Sequence, residues 1–313
     1  MKKIVFISRL DNKVQLQWLS CLRQQLPEET ILLPEHVSED EFQYVDIAIV
    51  ANPEPSVIAK FPNLVWIQSL WAGVEKLISE KSLQHIKIVR LIDPELAKTM
   101  AEAVVAWTLY LHRNMPEYAL QQRNKQWQQL PYIAARDTRV GVLGAGNLGG
   151  ASLKSLQQLQ YPVSCWSRTP KQLEGIKSYS GNSGLHSIVK NSDILISLLP
   201  LTAETHHLLN APLLTLLPWG AKIINFSRGA IIDTKAMLEL LESRHISHAV
   251  LDVFEHEPLP VTDPIWSNPN ITVLPHISAP TDMSSSIKVA ADNIKNYREF
   301  LIIPETVNTQ LGY

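Results

Sequence analysis

Two α/β domains, each a parallel sheet wrapped by helices, are predicted by three features of this sequence. Short apolar runs alternate with helical stretches along its length, which is the pattern of strands joined by helical crossovers. A glycine-rich turn, Gly144-Ala145-Gly146-Asn147-Leu148-Gly149, follows the apolar run at 140–143 and opens a second such block. The 313 residues also suffice for two cores, at roughly 100 to 200 residues per domain.

The first run, Ile4 to Ile7, reads as a strand. Its basic start, Met1-Lys2-Lys3, could open a secretory signal, but the apolar stretch ends by Arg9 and Asp11, too soon for one. Val14, Leu16, Leu19, Leu22 and Leu26 recur at near-helical spacing before Pro27 and predict a helix over 12–25. Further strands are expected at 30–33, 46–50, 64–67 and 86–90. The stretch 101–112 is apolar nearly all round, with Val104, Trp107 and Leu111 on one stripe and Val105 and Leu109 on another. It suits either a crossing element between domains or an ordinary core helix. The polar run 121–129 reads as an exposed excursion. From residue 139 onward six strands are expected, at 139–143, 162–166, 193–198, 222–226, 248–252 and 271–274. Asp233 is placed to cap a helix whose Met237, Leu238 and Leu241 face the sheet.

Composition narrows the partners. With 28 Lys and Arg against 30 Asp and Glu, the net charge is −2, and no basic stretch interleaved with aromatics points to nucleic acid or an anionic membrane. The partner should be a small molecule. Cys21 and Cys165 lie in no C-x-x-C or metal-ligand cluster, which suits a reducing compartment. No apolar run reaches the roughly 18 residues of a membrane helix, so a soluble cytoplasmic protein is expected. No metal is expected either: His206, His207, His245 and His248 lack a nearby carboxylate or cysteine to complete a ligand set.

The glycine turn has the G-x-G-x-x-G spacing of a dinucleotide site. Gly144 allows the sharp turn, Gly146 removes the Cβ that would collide with a pyrophosphate, and Gly149 lets the helix lie close to the strand. The phosphates would sit on the helix N-terminus, on the N–H groups of residues such as Asn147 and Leu148. At the end of the next strand an NAD site usually carries Asp or Glu for the ribose 2′-hydroxyl. Here the chain reads Trp166-Ser167-Arg168-Thr169 with Lys171 close behind. A guanidinium and two hydroxyls suit a 2′-phosphate, so NADP is expected over NAD.

Three polar residues follow consecutive strands of this block: Arg228, Glu257 and His276. Singly, they could be a helix-start cation, a loop charge and a core histidine. Ligands of open α/β sheets bind beyond the C-terminal strand ends, where all three fall, so they can converge on one site.

These segments together resemble the D-2-hydroxyacid dehydrogenases. The resemblance runs through Gly144 to Gly149, Leu199-Pro200-Leu201-Thr202, Asn225-Phe226-Ser227-Arg228-Gly229, the stretch from Leu251 to Pro260, and Pro275-His276-Ile277, and covers essentially the whole chain. Met100-Ala101-Glu102, Pro116-Glu117-Tyr118, Cys165-Trp166-Ser167-Arg168 and the terminal Gly312-Tyr313 are similar to the glyoxylate/hydroxypyruvate reductase A branch. The resemblance implies a Rossmann NADP-binding domain, residues 101–283, inserted into a flavodoxin-like substrate domain, residues 1–100 and 284–313. It implies a cleft between them that closes on the substrate, and a homodimer. It implies NADPH-dependent reduction of a small 2-oxo acid, glyoxylate or hydroxypyruvate. His276 would be the general acid, Glu257 its partner and Arg228 the substrate anchor. Asp252 would hold the nicotinamide carboxamide, and Leu199, Pro200, Thr205 and Ser227 would line the coenzyme. Ala72 and Gly73, in Ser69-Leu70-Trp71-Ala72-Gly73-Val74, would bind the substrate carboxylate through backbone N–H groups. Trp71 departs from the small residue common at its place, and packing alone could explain it. Two other functions fit the same residues: a relative acting on a bulkier 2-oxo acid, and a nucleotide-sensing binding protein that retains the site.

Overall fold

Val45–Ala51 is buried at every residue, as a central strand of a parallel sheet covered on both faces must be. It organises the first of two units into which the chain divides, Met1–Glu95 with Thr281–Tyr313. The computed structural model describes residues 2–309, 311 and 312, so Tyr313 of the terminal Gly312-Tyr313 match lies outside the described residues. The elements of this unit are β1 (Lys3–Ser8), α1 (Asn12–Gln25), β2 (Thr30–Leu32), β3 (Val45–Ala51), α2 (Pro55–Ile58), β4 (Trp66–Ser69), α3 (Glu75–Ile78) and β5 (Lys87–Val89). The strands are parallel in the order β2-β1-β3-β4-β5, the flavodoxin-like arrangement.

The last helix of the chain, at Met283–Phe300, belongs to this unit too. Its apolar stripe, Ile287, Ala290, Ala291 and Ile294, packs with Trp18, Leu19 and Leu22 of α1. Asp282 caps it by accepting from Ser285 N at 2.8 Å. Near its far end Arg298 donates to Glu29 Oε1 at 2.8 Å and to Asp46 Oδ1 at 2.9 Å, joining helix, β2 entrance and β3 entrance.

The second unit, Leu96–Pro280, begins within α4 (Pro94–His112). That helix starts seven residues earlier than the apolar stretch suggests. Asp93 Oδ1 accepts from Glu95 N at 2.9 Å and Pro94 opens the helix, a start signal that lies outside the apolar periodicity. Then come α5 (Met115–Arg123), β6 (Val140–Leu143), α6 (Asn147–Gln158), β7 (Val163–Trp166), β8 (Lys177–Tyr179), α7 (Gly181–Lys190), β9 (Ile194–Ser197), α8 (Ala211–Leu214), β10 (Ala221–Asn225), α9 (Thr234–Glu242), β11 (Ile246–Leu251) and β12 (Ile271–Val273); the terminal helix is α10.

Among the described residues this sheet has seven parallel strands rather than the six expected, in the order β12-β11-β10-β9-β6-β7-β8. The additional strand is β8. Lys177-Ser178-Tyr179 sits at an edge, exposed or half-buried, so it carries no apolar run to announce it. Central β6 and β9 are buried throughout. Asp233 caps α9 through Ala236 N at 3.1 Å, with Met237 and Leu241 buried. Among the described residues no helix is long and apolar enough to cross a membrane.

His248 in β11 is 3 % exposed, with Nε2 2.9 Å from Thr272 Oγ1. Burial, with the Lys222 and Arg244 charges adding, pulls it down from 6.5 to about 4. The neutral ring is therefore favoured in the folded state. Its contribution is complete above pH 6.5 and is lost as pH falls from there through about 4. At most about 3 kcal/mol is at stake. Urea unfolding between pH 7.5 and 4 should show a shallower acid loss in His248→Gln than in the wild type. Identical slopes would remove His248 from the acid transition.

Candidate active site

The dinucleotide turn follows from strand, turn and helix in direct succession. Gly144 has φ of +101°, and a Cβ there would stand 2.6 Å from the Leu198 carbonyl oxygen. A Cβ on Gly149 would lie 1.8 Å from the Gly144 oxygen, so only glycine allows α6 this close to β6. Gly146 differs: a Cβ there would meet nothing within 4 Å. The space beside it is open, as a bound pyrophosphate requires. Gly146 is also the N-cap of α6 with no side chain capping the helix, and the first turn carries no acid. The N–H groups there are thus left for an anion, and the turn fits a dinucleotide.

Ser167, Arg168 and Thr169 follow β7. Ser167 N donates to Tyr179 O at 3.1 Å, and its hydroxyl donates to Thr169 O at 2.7 Å, so the unforeseen β8 fixes this turn. Arg168 and Thr169 are exposed. After β9 and β10 the expected coenzyme residues form one hydrogen-bonded patch. Ser227 Oγ accepts from Leu199 N at 2.9 Å and lies 2.7 Å from Ser197 Oγ. Thr205 Oγ1 donates to Pro200 O at 2.7 Å and accepts from Thr202 N at 2.8 Å, closing the 200–205 turn.

Asn225, not singled out as a site residue by the sequence, builds the next turn. Its Oδ1 accepts from Ser227 N at 3.2 Å and its Nδ2 donates to Arg228 O at 3.0 Å. An Asn at a strand end, with its habit of bonding to backbone two residues on, is the signal that could have found it. Arg228 is half-buried and donates from Nη1 to Ser227 O at 2.6 Å.

Glu257 and His276 come together although 19 residues separate them. His276 Nδ1 donates to Glu257 Oε2 at 2.8 Å, and Glu257 Oε1 accepts from Phe254 N at 2.9 Å. Since the carboxylate can only accept, Nδ1 carries a proton, and Nε2 is the nitrogen left for proton exchange. His276 has φ of +56°, a sparsely populated conformation for a residue with a side chain. Asp252 helps to hold it. Only 2 % exposed, Asp252 accepts from Ile277 N at 2.7 Å and Ser278 N at 2.9 Å. The carboxylate expected at the nicotinamide therefore braces the turn that carries the histidine.

A dinucleotide turn together with a carboxylate-fixed histidine at the C-terminal ends of one parallel sheet can support proton transfer beside a nucleotide coenzyme. Residues 105–278 match the family "D-isomer specific 2-hydroxyacid dehydrogenase, NAD binding domain". This chain is a D-isomer specific 2-hydroxyacid dehydrogenase. The dehydrogenase is 36 % identical over 271 residues to the glyoxylate/hydroxypyruvate reductase A of Yersinia enterocolitica, covering 85 % of this chain and 86 % of that one. It is 34 % identical over 303 residues to the protein of that name from Photorhabdus laumondii, covering 95 % and 96 %. Its structure is similar to that of a D-isomer specific 2-hydroxyacid dehydrogenase from Xanthobacter autotrophicus Py2 in complex with NADPH and MES, at a TM-score of 0.94 and 35 % identity over 100 % of this chain and 99 % of the other. The NADPH-dependent glyoxylate/hydroxypyruvate reductase from Sinorhizobium meliloti, with NADP and sulfate, gives a TM-score of 0.92 at 27 % identity over 100 % of both chains.

Trp71, Ala72 and Gly73 of the dehydrogenase belong to the first unit. The Trp71 ring packs edge-on against Trp18, centroids 5.8 Å apart, and the Trp71 backbone N–H donates to Ser69 Oγ at 3.0 Å. Trp71 is thus part of that unit's core margin, with Ala72 and Gly73 half-buried after it.

Proposed function

We propose that this dehydrogenase reduces a small 2-oxo acid, glyoxylate or hydroxypyruvate, with NADPH. The observation that carries the reading is the fixed pair: Glu257, itself held by Phe254 N, orients His276 through Nδ1. When bound, the nicotinamide supplies the hydride that the ketone carbon needs. His276 then delivers the proton to the ketone oxygen from Nε2, while Glu257 holds the ring through Nδ1. Arg228 holds the substrate's carboxylate or ketone oxygen with its planar fork of donors and polarises the carbonyl. The substrate class is supported by the names of the two reductase A relatives.

The choice of NADPH is supported by the exposed Arg168 and Thr169 beside Ser167 and by the coenzymes bound in the similar crystal structures. Arg168→Ala should weaken NADPH by about 1.5 to 3 kcal/mol, the worth of a charged hydrogen bond, and leave NADH nearly unchanged. Fluorescence titration with both coenzymes checks this; equal losses would contradict it.

A homodimer is the assembly we propose. Its support is the exposed apolar series Leu120, Trp127, Tyr132 and Ile133, of which Trp127 is 98 % exposed. The segment is pinned despite its exposure: His112 Nε2 lies 2.8 Å from Ile133 O, and Leu130 N donates to Tyr118 OH at 3.0 Å. A monomer mass in sedimentation equilibrium would overturn the assembly.

A further inference from the structure

His207 stands where three loops of the second unit meet. Its backbone N–H donates to Ala230 O at 2.7 Å, in the turn after Arg228. Its ring stacks on His206 with centroids 4.1 Å apart, and its Nε2 lies 2.9 Å from Glu255 Oε1. The loop carrying Glu255 is pressed against Gly229 so closely that a Cβ there would stand 2.0 Å from the Phe254 carbonyl carbon and 2.2 Å from Glu255 N. Phe254 N is the donor that fixes Glu257 Oε1, and Glu257 Oε2 takes His276 Nδ1.

We propose that His207 is a positioning residue for Glu257: through Glu255 it pins the 254–257 turn against the Arg228-Gly229 turn, so that Glu257 meets His276 in a fixed orientation. The inference rests on the reading of His276 as the general acid. Both partners are partly exposed, at 41 % and 40 % of their side chains, and an isolated pair of that kind contributes little. This one differs because the backbone bond to Ala230 and the stacking on His206 hold the imidazole before Glu255 binds it, so less side-chain freedom is lost on pairing. His207 also has φ of +48°. A strained conformation kept beside the reacting groups points to a positional task.

The test uses the full chain with His207→Asn, Glu255→Ala, their double variant and Glu255→Gln. Asn tolerates the positive φ but is too short to reach Glu255, and Gln keeps the acceptor oxygen. His207→Asn and Glu255→Ala should each lower kcat about two- to fivefold, the worth of one such contact, with KM for NADPH unchanged. The double variant should be no worse than either single one, and Glu255→Gln should recover most of the rate. Amide hydrogen exchange at Phe254 should quicken in both single variants while the β11 amides stay protected. Additive losses, or unaltered Phe254 exchange, would overturn the proposal. If the wild type turned over no 2-oxo acid, the acid role of His276 would fail by itself, and Phe254 exchange would still decide whether His207 holds the turn.

Discussion

His276→Asn is expected to lower kcat for 2-oxo acid reduction by about a hundred- to ten-thousand-fold, the range for loss of a general acid. Asparagine is the appropriate replacement because His276 has φ of +56°, a conformation Asn adopts readily and Ala does not. The backbone N–H groups of Ile277 and Ser278 would stay on Asp252, so the turn and the coenzyme site should survive. NADPH affinity should then be nearly unchanged while turnover collapses, since the lost interaction belongs to the transition state. A His276→Asn enzyme with near wild-type kcat would take the residue out of the chemistry.

Arg298→Met should destabilise the first unit by about 3 to 5 kcal/mol, the cost of removing one partner from a buried charge network. Arg298 serves Glu29 and Asp46, whose side chains are only 13 % and 7 % exposed. Without the guanidinium the two carboxylates face a poorly solvated space, with Lys2, 3.4 Å from Asp46, as the remaining cation among the described residues. Burial of that kind is far from the surface pairs that contribute almost nothing. Urea unfolding should show a transition at lower urea for the first unit, with NADPH binding by the second unit retained in the absence of urea. A loss below about 1 kcal/mol would mean that water reaches these carboxylates more freely than their burial implies.

The parts of the fold legible in the sequence were those where burial on both faces writes continuous apolar runs. β3 and β6 are such strands, and each is buried throughout. β8 was illegible because an edge strand of three polar or amphipathic residues needs no apolar pattern to pair with β7. The start of α4 escapes the apolar pattern because its signal is a cap and a proline rather than periodicity. The glycine turn was readable in detail, since two of its glycines are demanded by backbone contacts inside the protein. The convergence of Glu257 and His276 could be anticipated from strand ends, and their pairing is what the family resemblance implies. The support behind it could not: the Asp252 brace, the Asn225 turn and the His207–Glu255 contact join residues 2 to 48 positions apart through loop geometry that no local pattern encodes.

We propose that the fixed His276–Glu257 pair serves the reduction of a 2-oxo acid. The most direct test is the loss of nicotinamide absorbance when the purified chain and NADPH are offered glyoxylate, hydroxypyruvate and a series of bulkier 2-oxo acids. Rapid NADPH oxidation with the two small acids, falling as the side chain grows, is the predicted result. Tight NADPH binding with no turnover of any 2-oxo acid would contradict it and favour a nucleotide-sensing role.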